Sequence, residues 1–337
     1  MTAPTPTPAV APLPMFVGCG RSGTTLVRAI FDSHSQLAVA HHAQFIVSMG
    51  RHRRRYEGIH GLRRERFLSD LFASHRFAHL QLNRDEVRDL FATPVPSFPT
   101  AVRRVLAHFA ERQGKTRYAD KTPGHVVRIQ LLSELFGEAR FVHIIRDGRN
   151  SWVGYRDRGF GPKTVADAAF NWKGRVARGR CAGLALGPER YLEVRYEELV
   201  ERPAETLDPV CRFLGLEFEE SMLGYHERAG AILAGLDPAD RGDFENLFRP
   251  LTKGVRDWRT EMSSSEQAVF DAIAGELLAD LGYERSRPAA RATAKVDVAR
   301  GWLGWQARRV AFRTTLVGRR LSKRGSQDQP KSEPTSS

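Results

Sequence analysis

Cysteine is scarce. The 337 residues hold three, Cys19, Cys181 and Cys211, scattered and with no C-x-x-C pair. That excludes a disulfide-stapled scaffold and a cysteine zinc site, and it points to a reducing compartment. Long apolar runs are also missing, and none approaches the ~18 residues of a transmembrane helix. The opening stretch MTAPTPTPAVAPLP has no lysine or arginine and no apolar core, so it does not read as a secretory signal. Its prolines and threonines predict a disordered lead-in over residues 1–13. Acids are outnumbered, 39 Asp and Glu against 52 Lys and Arg, for a formal net charge of +13. A balance this basic favours anionic partners without choosing among them. The expectation is a cytoplasmic protein, with peripheral membrane contact open to its basic C-terminal end.

With 41% hydrophobic residues the chain has material for one large α/β core. Met15–Val17 and Phe141–Ile145 (FVHII) read as short buried strands, and Tyr191–Arg195 (YLEVR) as a third. Helical spacing follows at Leu26, Val27, Ile30 and Phe31, again at Val102–Phe109 and Val126–Phe136, and from Pro203 to a stop at Gly215. Ser263 and Glu266 form a capping-box pattern before another helix. Residues 51–66, RHRRRYEGIHGLRRER, read as a basic helical stretch. Alternating strands and helices predict an α/β domain over residues 14–285, a parallel sheet covered by helices on both faces. Residues 286–324 form a basic extension; its part from 300 holds eight Arg or Lys and no acid. Trp302, Trp305, Phe312 and Leu316 there keep helical spacing, which suits either an anionic lipid surface or packing on the main domain. Residues 325–337 read as a disordered tail.

One glycine-rich turn carries the chemistry. GCGRSGTT at 18–25 lies between a strand and a helix and nearly matches the phosphate loop G-x-x-x-x-G-K-[ST]. Backbone N–H groups of such a turn, together with the helix dipole, converge on an anion. Gly20 and Gly23 supply the tight turn; Ser22, Thr24 and Thr25 add hydroxyls; Arg21 adds a guanidinium fork. The lysine of nucleoside triphosphatases is absent, with Thr24 in its place, which argues against ATP or GTP hydrolysis.

Five segments in order then resemble the sulfotransferases that use 3′-phosphoadenosine 5′-phosphosulfate (PAPS). They are GCGRSGTTL at 18–26, ADKTPGHV at 119–126, RFVHIIRDGRNSWVGY at 140–155, VRYEELVERPAETL at 194–207, and LTKGVRDWR at 251–259. The pattern of the first is most similar to the tyrosylprotein and bacterial branches. The resemblance implies a three-layer α/β fold like that of the P-loop NTPases, PAPS as co-substrate and no metal. The loop, with Arg21, would hold the 5′-phosphosulfate, and Lys121 would reach the bridging oxygen where leaving-group charge develops. Arg146 and Lys253 would serve the 3′-phosphate, with Tyr196 near the nucleotide. Where the family has a serine eight residues after Arg146, this chain has Gly154; Ser151 or the Gly154 amide would have to substitute. Thr252 replaces an arginine, whose charge Arg256 could supply. The tyrosylprotein branch carries a glutamate base 21 residues beyond its loop arginine, and here that position is His42, with His41 beside it and His125 as an alternative base.

Plainer readings of the same residues exist. Lys121 could pair with Asp120, Arg146 with Asp147, and His42 could be a satisfied structural histidine. The expected activity is sulfuryl transfer from PAPS to a hydroxyl or amine of a glycan, lipid, small-molecule or peptide acceptor, without nucleic acid. The competing readings are a degenerate P-loop NTPase or kinase, and a non-catalytic basic protein that binds nucleotide or membrane.

Overall fold

The computed structural model describes residues 11–74, 76–156, 158, 160–230, 245–252, 254–286, 301, 302 and 306. Its centre is a sheet of five parallel strands: β1 (Leu13–Gly18), β2 (Leu37–His41), β5 (Arg117–Lys121), β6 (Ala139–Ile145) and β7 (Tyr191–Arg195). Their order is β2-β5-β1-β6-β7. A small antiparallel hairpin, β3 (Glu57–Gly58) with β4 (Gly61–Leu62), lies apart from it.

Side chains alternate between the two faces of the sheet. Met15, Val17, Ala38, Ala40 and Phe141 join one core, packed with Phe45, Phe67, Phe98 and Leu132. Phe16, Leu37, Val39, Val142, Ile144 and Val194 join the other, under the helices Thr24–Asp32 and Pro203–Leu214. A third cluster around Trp172, Trp258 and Phe270 packs the long helix Val165–Leu184 on Ser264–Asp280. The last helix starts on the expected capping box: Ser263 Oγ accepts from Glu266 N, and Glu266 Oε2 accepts from Ser263 N.

β1 begins at Leu13, at the edge of the expected lead-in. The basic stretch 51–66 is not one helix. A single 3-10 turn at Arg53–Arg55 is followed by the β3–β4 hairpin, and helix resumes only at Arg64. Gly61, at φ +103, breaks the helical path, and its position against the Val95 carbonyl leaves no room for a side chain. Most of the basic extension at 286–324, the tail at 325–337 and Lys253 lie outside the described residues. Among the described residues no helix is long and apolar enough to cross a membrane.

Candidate active site

All five sheet strands end on the same side, and in open α/β sheets ligands bind beyond those carboxyl ends. Each site residue expected from the sequence and described in the structure sits there. The loop 19–23 follows β1, His42 follows β2, Lys121 closes β5, Arg146 follows β6 and Tyr196 follows β7.

The loop is a tight turn. Ser22 is 1% exposed and both its N and its Oγ donate to the Cys19 carbonyl, at 3.3 and 2.6 Å. Its hydroxyl therefore shapes the turn and does not face the cleft. Arg21 takes φ 68, an unusual left-handed backbone for arginine, and Gly23 takes φ 88. A Cβ at Gly23 would lie 2.2 Å from the Tyr196 ring, and one at Gly20 would run into the Tyr155 hydroxyl. Both glycines are thus required by close approach. The helix Thr24–Asp32 starts here, so its N-terminal amides open onto the cleft beside Thr24 and Thr25.

That cleft encloses about 780 Å³ up to its open mouth, and Arg21, Gly23, Thr25, Arg146, Tyr196 and Arg256 are among its lining residues. Lys121 is fully buried beside it, with Nζ 3.5 Å from Thr25 Oγ1. Arg146 is 4% exposed and donates from Nη2 to the Val255 carbonyl at 2.6 Å; its guanidinium lies 4.3 Å over the Tyr196 ring. Its Nε is buried and has no hydrogen-bond partner among the described residues. Burial, then Arg158 and Arg146, push the Arg21 guanidinium down to about 10. Burial, then Arg21, Arg146 and Arg158, do the same to Arg256. Three guanidinium groups, Arg21, Arg146 and Arg256, thus line the same cleft, which fits phosphate oxygens.

The two plain pairings for the basic residues do not occur. Asp147 is taken by Arg149, whose Nη2 donates to it at 2.8 Å, and Arg149 also reaches Asp271. Asp120 lies one position before Lys121 on a strand, so the two project to opposite faces. Asp120 Oδ1 accepts instead from Ala43 N at 3.2 Å and Thr122 Oγ1 at 2.8 Å. Ser151 donates back to the Asp147 carbonyl, which removes it as a substitute for the missing serine.

His42 is fastened to Lys121. Its backbone N donates to the Lys121 carbonyl at 3.0 Å, and the adjoining pair His41 and Lys121 are in register across β2 and β5. At φ 56 it bends the chain out of β2. Its ring meets His41 edge-on at 4.2 Å, and His79 stacks on His41 at 5.5 Å. Burial first, then the Lys121 and Arg76 charges, hold His42 far below the ordinary histidine range, so it is neutral. Its Nδ1 is buried without a hydrogen-bond partner among the described residues. His125 stands with Nδ1 2.8 Å from Asp120 Oδ2, out of line for a hydrogen bond. No local pattern in the chain marked Asp120 or His79 as neighbours of these residues; only the packing brings them to this place.

A parallel sheet with a glycine turn at its central strand, facing a cleft lined by arginines, defines an α/β protein whose cleft suits an anionic ligand. The chain belongs to the sulfotransferase family, whose family model matches residues 14–220. It is 25% identical over 225 residues to protein-tyrosine sulfotransferase 2 of Gallus gallus, covering 65% of this chain and 55% of the relative. It is 29% identical over 231 residues to nodulation protein NoeE of Sinorhizobium fredii, covering 58% and 53%. The chain thus spans about half the length of these curated relatives. Among solved structures it is similar to the sulfotransferase domain of the Synechococcus PCC 7002 olefin synthase, at TM-score 0.57 and 20% identity over 83% of this chain and 98% of that one.

Proposed function

We propose that this chain transfers the sulfuryl group of PAPS to a hydroxyl or amine of an acceptor, releasing adenosine 3′,5′-bisphosphate. The observation that carries this reading is the convergence of the loop, Lys121, Arg146 and Tyr196 on one cationic cleft at the strand ends. PAPS supplies an activated sulfuryl group whose bond to the 5′-phosphate breaks as the acceptor oxygen or nitrogen bonds to sulfur. Arg21 and the amides from Gly23 onward hold the phosphosulfate. Lys121, buried at the loop, stabilises the negative charge that grows on the departing phosphate oxygen. Arg146 binds the far phosphate and Tyr196 flanks the nucleotide, with Lys253 assigned to the same group on resemblance alone.

His42 takes the acceptor proton. It is neutral and so has a free lone pair, and its attachment to Lys121 keeps base and leaving-group cation together. Binding an anionic donor against Lys121 offsets the positive field that depresses His42, which strengthens the base when the donor is in place. The acceptor class is a peptide, lipid, glycan or small molecule. The three free cysteines agree with a reducing, cytoplasmic setting.

Two measurements test the reading. Adenosine 3′,5′-bisphosphate at millimolar concentration should raise the melting temperature, and no shift would reject the site. Incubation with [³⁵S]PAPS and lipid, glycan and peptide extracts should yield a labelled product; absence of label across the panel while the nucleotide binds would reject the transfer.

A further inference from the structure

The cleft holds anion-binding groups at two stations. At one are the helix amides, Thr25 and Lys121; at the other are Arg146 and Arg256. Tyr196 lies between them, one edge packed on Gly23 and its face under Arg146. The second station has a construction of its own. Gly154, on the helix Gly148–Arg156, is where Arg21 and Arg256 pass each other. A Cβ there would lie 3.3 Å from Arg21 Nε, 3.4 Å from Arg21 Cβ and 3.4 Å from Arg256 Cδ. A side chain there would press on both arginines where they cross.

Arg256 itself is held in an unfavourable backbone. Its φ is 62, in the left-handed region that L-residues other than Asn, Asp or Gly rarely adopt. The segment is pinned on both sides, by Arg146 donating to the Val255 carbonyl at 2.6 Å and by Trp258 N donating to Asn150 Oδ1 at 2.9 Å. This bend aims Arg256 into the cleft. Among the described residues no carboxylate pairs with Arg146 or Arg256. Strained backbone, a Cβ-less crossing point and a buried guanidinium nitrogen without a partner together imply an anion that completes the station.

Resting on the sulfotransferase reading above, we propose that Gly154 and Arg256 form the specificity-determining pair of this cleft. The absent side chain at 154 admits Arg256 beside Arg21 and Arg146, so the nucleotide's second phosphate is held by guanidinium charge where a hydroxyl donor would otherwise stand. Recognition by charge makes the preference for a bisphosphate depend on Arg256 and weaken with salt.

The test is calorimetric titration of the full chain with adenosine 3′,5′-bisphosphate and with adenosine 5′-monophosphate. Arg256→Ala should lower bisphosphate affinity roughly tenfold to a hundredfold, the scale of a lost charged hydrogen bond, with monophosphate affinity nearly unchanged. Arg256→Lys should recover part of the loss. Gly154→Ser should weaken bisphosphate binding and spare the monophosphate. The ratio of the two ligands corrects for any change in the fraction folded. A Gly154→Ser variant that binds the bisphosphate as well as wild type, or an Arg256→Ala variant that loses both ligands equally, overturns the proposal. If wild type binds neither nucleotide, the sulfotransferase reading falls with it. If wild type discriminates and both variants keep the full ratio, only this inference falls.

Discussion

Replacing Lys121 by alanine tests the chemistry most directly. The ammonium is fully buried and lies within reach of Thr25 Oγ1, so little water screens it. A unit charge roughly 4 Å from a developing negative charge is worth about 4 kcal/mol at an effective dielectric near 20. Only part of a charge develops on the leaving oxygen, so the difference between ground and transition states is about 2–4 kcal/mol. That corresponds to a roughly 30- to 1,000-fold loss of rate. The assay is single-turnover sulfation from [³⁵S]PAPS, with nucleotide affinity measured separately by thermal shift. Affinity should fall far less than rate, because the loop amides and arginines remain. Lys121→Arg should rescue little, since the larger guanidinium has no space at a fully buried position. A folded Lys121→Ala enzyme that turns over within threefold of wild type would refute the assignment.

The remaining expectations are simpler. His42→Gln should lower turnover by about 10²–10⁴. Because burial and Lys121 hold His42 well below the ordinary histidine range, its neutral, basic form dominates throughout mild acid. The pH–rate profile should therefore be flat from 8 to 6, and an acid limb near 6.5 that His42→Gln abolishes would contradict the structure. His143 is fully buried, with Nδ1 2.6 Å from the Tyr191 hydroxyl, and burial pushes it down to about 3. Its folded value lies below its unfolded one, so stability is full above pH 6.5 and is lost as pH falls toward 3, by up to about 1.4 kcal/mol per pH unit. Urea unfolding at pH 6.5 and 5 should show wild type losing about 2 kcal/mol more than His143→Leu; equal losses would place that pH dependence elsewhere. Gly23→Ala should damage nucleotide binding through its clash with Tyr196 and its φ of 88, and adding Tyr196→Ala should restore only part, since the backbone strain stays.

Much of the fold was legible wherever the signal is local. The loop at 18–25, strand β7, the helix from Pro203 to Leu214 and the Ser263–Glu266 box follow from short-range patterns of turn, cap and apolar spacing. β2 and β5 were not legible. LAVAH is rich in alanine and RYADK is mostly polar, so neither shows the apolar run of a buried strand. The proposed base directly follows β2, and the proposed leaving-group lysine closes β5. In β5 the polar residues fill strand positions because the site claims them: Asp120 ties down the turn after His42, and Lys121 meets the loop. The helical reading of 51–66 failed because arginine composition favours helix while Gly58 and Gly61 dictate a hairpin.

The sequence by itself determined the inventory. It named a phosphate turn without its lysine, an arginine after an apolar strand, a lysine in ADKTP, and histidines where a glutamate would stand. Only the tertiary structure decided which of these meet. Parallel pairing of β2 with β5 set His41 against Lys121, strand pleating parted Lys121 from Asp120, and a left-handed bend carried Arg256 across Gly154 to the side of Arg21. Pleat, register and backbone handedness belong to the assembled sheet and its loops, and residue identity encodes them only through contacts distant in the chain.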